Sequence, residues 1–144
     1  RTIVAMNGQP YLPRLNAQLA AGLRLVPDDV RTKHAEFLRS RQNPDGGFSG
    51  REGGSDLYYT GFALRGLSVL DALDEPTTDR AARFLRNSLA REAAVVDFFS
   101  LLYASLIIQT TSGEDVHSDA PADWPERVSA TLESFRTADG GYAK

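Results

Sequence analysis

Two copies of an Asp-Gly-Gly-aromatic motif lie 94 positions apart in this chain of 144 residues, the first ending at Phe48 and the second at Tyr142. That distance is twice 47, and 47 positions also separate the pairs Phe37-Leu38 and Phe84-Leu85. Periods of this size are typical of stacked supersecondary units, each of which buries its apolar face against the next. We therefore expect one domain over 1–144, with an N-terminal helix in 1–27 and repeats at roughly 28–74, 75–120 and 121–144, the last one truncated.

The apolar periodicity predicts helices throughout, and no segment shows a continuous strand pattern. Amphipathic helices alternate with helices that are apolar nearly all round, and the apolar ones should be enclosed on most sides. An inner ring of enclosed helices and an outer ring of half-exposed helices satisfies this alternation. The expected helices are Tyr11–Leu25, Val30–Arg41, Leu57–Leu70, a helix opened by Thr77, Thr78 and Asp79 that includes Leu85, Ala93–Gln109, and Asp123–Phe135.

The two apolar helices also resemble each other at a shorter offset. The segment Asp56–Leu64 matches Asp97–Ser105 at 41 positions, so the second unit has six residues fewer before its inner helix. The glycine-rich segment Asp45–Gly54 must form a loop, because paired glycines permit positive φ and close backbone approach. We expect Phe48 to plug between neighbouring helices and Gln42 to satisfy exposed backbone groups.

Composition excludes several classes of partner and site. The formal net charge of −3 provides no positive field for phosphate backbones, so we expect no nucleic-acid partner. The chain has no cysteine, which excludes disulfides and thiolate-bound metal within it. The most apolar stretch, Ala93–Gln109, contains Asp97 and is short for a bilayer span, so we expect a buried helix. The sequence shows no secretory signal and no lipidation motif, which favours a cytoplasmic protein.

The residues Gln42–Gly50, followed by Tyr59-Thr60 and Ala63-Leu64, resemble the repeat of protein prenyltransferase β subunits. Squalene–hopene and oxidosqualene cyclases carry a related repeat. The full pattern covers about 36 residues, and weaker copies extend over most of the chain after Thr32. The resemblance implies an α/α toroid, here a partial barrel of helical hairpins, around an apolar funnel that accepts an isoprenoid.

The resemblance also implies site residues. Tyr59 matches the tyrosine that often begins the inner helix and faces the isoprenoid, and Phe62 occupies a lumen position one turn later. Asp56 lies where family members place a polar or basic group near the diphosphate. The corresponding positions of the second unit include Asp97 and Tyr103.

Two of these candidates also follow from physical chemistry. A carboxylate on an apolar helix is costly to bury unless it is paired or hydrogen-bonded. For Asp56 we keep two interpretations, a helix cap and a binding residue. Asp97 lies inside its predicted helix, where capping serves it less well, and it is the strongest polar-site candidate.

Three functions remain open at this stage. The first is a prenyltransferase-β-like segment whose lumen binds an isoprenoid diphosphate or related lipid, with transfer to a thiol acceptor if further repeats complete the site. The second is a non-catalytic helical-repeat module for binding or scaffolding, and the third is a fragment of a class II terpene cyclase. The sequence lacks the family's Asp-x-Cys zinc motif and the cyclases' Asp-x-Asp-Asp motif. We therefore expect no cofactor in this chain, and zinc only if its ligands lie in missing repeats.

An incomplete ring leaves apolar inner helices with an open side. We expect the remaining repeats or a partner subunit to close it, and the isolated segment to oligomerise or aggregate.

Overall fold

A computed structural model describes residues 11–89 and 95–142. These residues form six α-helices and no strand, which confirms the all-α prediction for the described part of the chain. The predicted ring closure is not tested by these helices and stays a prediction. The helices are α1 Tyr11–Leu23, α2 Asp28–Ser40, α3 Leu57–Val69, α4 Glu75–Leu89, α5 Val95–Ser112 and α6 Trp124–Ser134.

The start of α4 differs from the prediction. Thr77 and Thr78 do not open this helix but lie buried in its first turn, which begins at Glu75. Asp74 precedes the helix, and its Oδ1 accepts a hydrogen bond from the Thr77 N–H at 3.0 Å. Asp74 also pairs with Arg39 of α2 at 2.8 Å, so the residue that caps α4 ties it to the preceding helix.

The helix α3 lies at the centre of the packing. It contacts α5 most extensively and also packs against α1, α2 and α4, while α4 packs in addition on α5. The amphipathic helices α2 and α4 therefore flank the apolar pair α3 and α5, as the alternation of patterns predicts. The core is apolar and lies between these helices, with Leu64, Leu67, Ala81, Ala82, Leu85, Ala104 and Ile108 fully enclosed.

The 41-residue offset between α3 and α5 also holds for burial. The buried positions Thr60, Ala63, Leu64 and Leu67 of α3 correspond to Leu101, Ala104, Ser105 and Ile108 of α5, which are all buried. The two helices thus present equivalent faces to the core. Most residues of α3 are buried or half-buried, in line with the predicted enclosure, and the exception is one side where Tyr58, Tyr59 and Phe62 are substantially exposed.

The last helix is held differently from the others. α6 packs only marginally on the remaining described helices. Asp123 precedes this helix, but its side chain makes no capping hydrogen bond. Instead, the Trp124 ring stacks on His117 with 4.2 Å between ring centroids and an interplanar angle of 13°. Burial lowers the pKa of His117, partly offset by Asp115, so the stacked imidazole favours its neutral form.

Candidate ligand-binding face

The first glycine loop, residues 42–48, fixes where α3 begins. The Asn43 N–H donates to the Gly47 carbonyl at 2.8 Å, and Gly46 adopts a φ of +92°. The Phe48 side chain is 2% exposed, and the Phe48 N–H donates to the Thr60 hydroxyl of α3 at 2.9 Å. These contacts confirm that Phe48 is a structural plug.

Gln42 connects the same loop to α4. Its Nε2 donates to the Gly46 carbonyl at 3.0 Å and to the Thr77 carbonyl at 2.9 Å. The predicted role of Gln42 in satisfying backbone groups is therefore confirmed. The loop holds the start of α3 and the first turn of α4 together, which sets the orientation of α3 relative to its neighbours.

Aromatic side chains occupy the side of α3 that faces away from the core. Tyr58 and Phe62 lie one turn apart, with ring centroids 4.7 Å apart in an edge-to-face arrangement. The corresponding positions of α5 hold Phe99 and Tyr103, of which Phe99 is exposed and Tyr103 half-buried. Because α3 and α5 pack side by side and the four residues hold equivalent positions on them, we group these residues under one name, the aromatic face.

Tyr59 lies at the edge of this surface. A Cβ built on Gly50 would come within 2.7 Å of the Tyr59 ring, so the ring lies directly against the loop backbone. The side chain remains 47% exposed, and its ring is 5.5 Å from that of Tyr58. Of the three aromatic candidates from the sequence, Phe62 and Tyr103 therefore belong to the aromatic face, and Tyr59 borders it.

A polar cluster adjoins the aromatic face where α1 meets α3 and α5. The Asn16 Oδ1 of α1 accepts hydrogen bonds from Arg65 Nε and from the Tyr103 hydroxyl, each at 3.2 Å. The Arg65 guanidinium carbon lies 5.9 Å from the centre of the Tyr103 ring, within cation–π range. Neither Asn16 nor Arg65 was a candidate from the sequence, although Arg65 is the single charged residue of the apolar α3.

The Arg65 guanidinium retains hydrogen-bonding capacity. Within residues 11–89 and 95–142, no carboxylate pairs with it, and its terminal amino groups have no acceptor. A guanidinium has five N–H donors in a planar fork that suits carboxylate and phosphate oxygens. The cluster is thus a half-buried cation next to an apolar surface.

The two aspartate candidates have different positions. Asp56 is the N-cap of α3, and its Oδ1 accepts from the Tyr59 N–H at 3.0 Å, so the capping interpretation is confirmed. Asp97 lies in the first turn of α5, which begins at Val95, and not deep inside the helix. A carboxylate there is stabilised by the helix dipole. For the described residues, the structure gives Asp97 no hydrogen bond or ion pair.

Other site classes find less support in the part of the chain that the structure describes. No group of three His, Asp or Glu side chains comes together there to hold a metal ion. None of the helices described combines the length and apolar character needed to cross a bilayer. Two open depressions of about 450 and 330 Å³ lie away from the aromatic face, one beside Thr111 and Glu114 and one beside Arg31 and Arg39.

Comparisons with family models, with curated proteins and with solved structures gave no match for this chain. The resemblance to prenyltransferase β subunits therefore stays a prediction from the residues that carry it.

Proposed function

We propose that the aromatic face binds an isoprenoid diphosphate or a closely related anionic lipid. The observation that carries the proposal is the exposure of aromatic side chains at corresponding positions of two adjacent apolar helices, next to an arginine with no carboxylate partner among the described residues. The proposal covers binding of the lipid and no chemical step. Transfer to a thiol acceptor follows only from the family resemblance, and it needs groups beyond those described.

The apolar part of the ligand would lie along Tyr58, Phe62 and Phe99. Phe62 is 54% exposed, so part of its side chain is available for contact. Burying apolar surface yields about 25 cal/mol per Å², so covering even part of several rings contributes a few kcal/mol of binding free energy. A branched unsaturated chain suits such a surface because it presents flat apolar segments to aromatic rings.

The anionic part of the ligand would lie at Arg65. Charge-assisted hydrogen bonds from guanidinium to phosphate oxygens are short and roughly twice as strong as neutral ones. Asn16 and the Tyr103 ring hold the guanidinium from two sides, so little side-chain entropy is lost on binding. The carboxylate of Asp56 is engaged in capping the start of α3, nine residues before Arg65, and we do not include it in this anion site.

Binding can be measured with radiolabelled farnesyl diphosphate and with farnesol, which lacks the anionic group. We expect saturable binding of the diphosphate by the folded chain. Phe62→Ala should weaken binding of both ligands about tenfold, since it removes about 1–2 kcal/mol of apolar contact. Arg65→Met should weaken the diphosphate selectively and leave farnesol nearly unchanged.

Phe37→Ala is the matched control. Phe37 is 53% exposed on α2, and its ring is covered on one side by Arg41 at 5.0 Å. This control should leave binding unchanged. Equal losses in the Phe37 and Phe62 variants, or no saturable uptake by the chain, would contradict the proposal.

The scaffold alternative is distinguished by the same measurements. A non-catalytic helical-repeat module would use the aromatic face to pack against protein and would take up neither ligand. In that case Phe62→Ala would change the association state of the chain in light scattering while lipid uptake stayed absent.

A further inference from the structure

The second glycine loop, residues 136–142, has the same backbone arrangement as the first. The Thr137 N–H donates to the Gly141 carbonyl at 2.9 Å, and the Gly140 N–H donates to the Thr137 carbonyl at 2.9 Å. The equivalent bonds of the first loop, 94 positions earlier, measure 2.8 and 2.9 Å. Gly140 has a φ of +84°, close to the +92° of Gly46. The two loops are therefore structural copies.

The first glycine loop shows what covers such a loop. The α3–α4 hairpin encloses Phe48, and a Cβ built on Gly46 would lie 2.0 Å from the Arg80 carbonyl oxygen of α4. A Cβ on Gly47 would lie 2.6 Å from the Ser55 Cβ and 2.9 Å from the Phe84 ring. Both glycines are thus required because helix backbone and side chains press directly against them.

The second glycine loop lacks this cover. Tyr142, which corresponds to Phe48, is 50% exposed. Apart from the adjacent residues, no described atom lies within 4 Å of a Cβ built on Gly140, and a Cβ on Gly141 would meet the Asp139 and Thr137 side chains, with both oxygens at 3.3 Å. Gly141 therefore meets none of the helix contacts that make Gly47 necessary in the first copy.

We propose that the second glycine loop is a docking surface for a helical hairpin built like α3–α4. Such a partner has an extended residue before its first helix, a buried hydroxyl in that helix's first turns, and a second helix whose first turns close over the glycines. In the first copy, these features are Asp56, Thr60 and the segment from Thr77 to Phe84.

Unsatisfied groups of the second glycine loop match this partner. The bonds that Phe48 makes with the Thr60 hydroxyl and the Asp56 N–H have no counterpart at Tyr142 within the described residues. Arg136 corresponds to Gln42, which donates to the first-turn carbonyl of Thr77. Arg136 pairs only with Glu133 on the surface, at 3.2 Å, and its guanidinium can donate to a carbonyl in the same way.

The partner must offer a hairpin whose own glycine-loop position is vacant. In a second copy of this chain, α3–α4 already holds the first glycine loop, so a second copy could dock only by exchanging that loop. We therefore assign the surface to a hairpin of this construction that lacks a bound loop of its own.

The test adds such a hairpin in register. Residues 51–89 of this sequence are appended to the full chain after Lys144, which places the added hairpin 94 positions after the original one. We expect hydrogen exchange at the Gly140, Gly141 and Tyr142 amides to slow by about tenfold or more, because docking buries the loop. Gly141→Ala should abolish that slowing, and in the parent chain its effect should be confined to the contacts with Thr137 and Asp139 within the loop.

Gly22→Ala is the control, since no described atom lies within 4 Å of a Cβ at that helical position. It should leave loop exchange unchanged in both the parent and the extended chain. Equal exchange at the second loop in the parent and extended chains would overturn the proposal. The proposal would also be overturned if Gly141→Ala changed the exchange of the second loop by the same factor in the parent chain and in the extended chain. Lipid uptake plays no part in these readouts, so this proposal can fail while the binding proposal stands.

Discussion

The two glycine loops share their hydrogen bonds and differ in their surroundings. The first is enclosed by α3 and α4, whereas the second projects its aromatic ring into solvent. Because the second loop adopts the same turn without those neighbours, the sequence of the motif is sufficient to specify its backbone conformation. The enclosing helices add stability to the first loop and do not create its shape.

Side chains within the motif stabilise this backbone conformation. In both loops the aspartate Oδ1 accepts from the N–H of the second glycine at 3.1 Å, as in an Asx turn. The hydrogen bond from the Thr137 hydroxyl, followed by that from the Gly141 N–H, lowers the pKa of Asp139. In the first loop, Ser55 donates to Asp45 from outside the turn, at 2.6 Å. The aspartate of the second loop therefore accepts a hydroxyl hydrogen bond from Thr137 of the same loop, whereas the aspartate of the first accepts one from Ser55, just before α3.

The largest expected difference between the loops concerns their aromatic residues. Phe48→Ala should lower the free energy of unfolding by about 3–5 kcal/mol, because it leaves a cavity in the core. Tyr142→Ala should cost less than about 0.5 kcal/mol, as is usual for a surface position. Urea unfolding followed by circular dichroism measures both, and similar losses would show that Tyr142 is buried in solution.

Substituting the first glycine of each loop, Gly46 or Gly140, should give a smaller difference in unfolding free energy. Gly46→Ala should cost about 3 kcal/mol, since overpacking against the Arg80 carbonyl adds to the strain of positive φ. Gly140→Ala should cost about 1 kcal/mol, from the strain alone. Thermal unfolding of the two variants gives the comparison, and a Gly140 variant as unstable as the Gly46 variant would contradict it.

Thr60 contributes a contact that only the first loop has. Thr60→Val should cost about 1–2 kcal/mol, because the buried Phe48 N–H loses its acceptor. Thr110→Val is the control, since that exposed hydroxyl bonds only to carbonyls of its own helix, and the cost should stay below about 0.5 kcal/mol. If both variants are equally stable by urea unfolding, the Thr60 bond does not stabilise the loop.

Asp74 should give a smaller, pH-dependent effect on the helix that covers the first loop. Hydrogen bonding from Thr77 is the largest cause that lowers the pKa of Asp74, and Arg39 and Arg80 also lower it. The stabilisation is complete above the ordinary value of 3.8 and is lost as pH falls through the lower folded-state pKa.

Asp74→Asn should therefore lose stability relative to wild type near about pH 6, by about 1 kcal/mol or less, and converge with it at about pH 2. Asp79→Asn is the charge-matched control on the same helix. A difference between wild type and Asp74→Asn that grows on acidification would have the wrong sign for this explanation.

The parts of the fold that local patterns specify could be predicted from the sequence. Periodicity located the apolar and amphipathic helices, and the 41-residue alignment of Asp56 with Asp97 identified equivalent positions of α3 and α5. The roles of Phe48 and Gln42 followed from the glycine motif between them. Helix ends were predicted less accurately. α4 begins before Thr77 and is capped by Asp74, and an aspartate is as common in a turn as at a helix cap, so the sequence alone did not identify it as the cap.

Contacts between distant residues could not be predicted in this way. Asn16 lies 49 residues from Arg65 and 87 from Tyr103, so no periodic pattern joins them. The lumen position of Phe62 was expected from the family resemblance alone, because apolar character does not distinguish a core side chain from one on an open surface. The lone charge of α3 at Arg65 was the signal that could have indicated a polar site.

The stack of Trp124 on His117 makes tryptophan fluorescence a probe of one known position in this chain. Trp124 is its single tryptophan, so indole emission arises wholly from the first residue of α6, where the ring stacks on His117 of the preceding connection. Emission therefore follows the detachment of α6, whereas ellipticity follows the helices around Leu64 and Ile108. Midpoints from the two signals that fail to coincide would identify α6 as a separately melting unit.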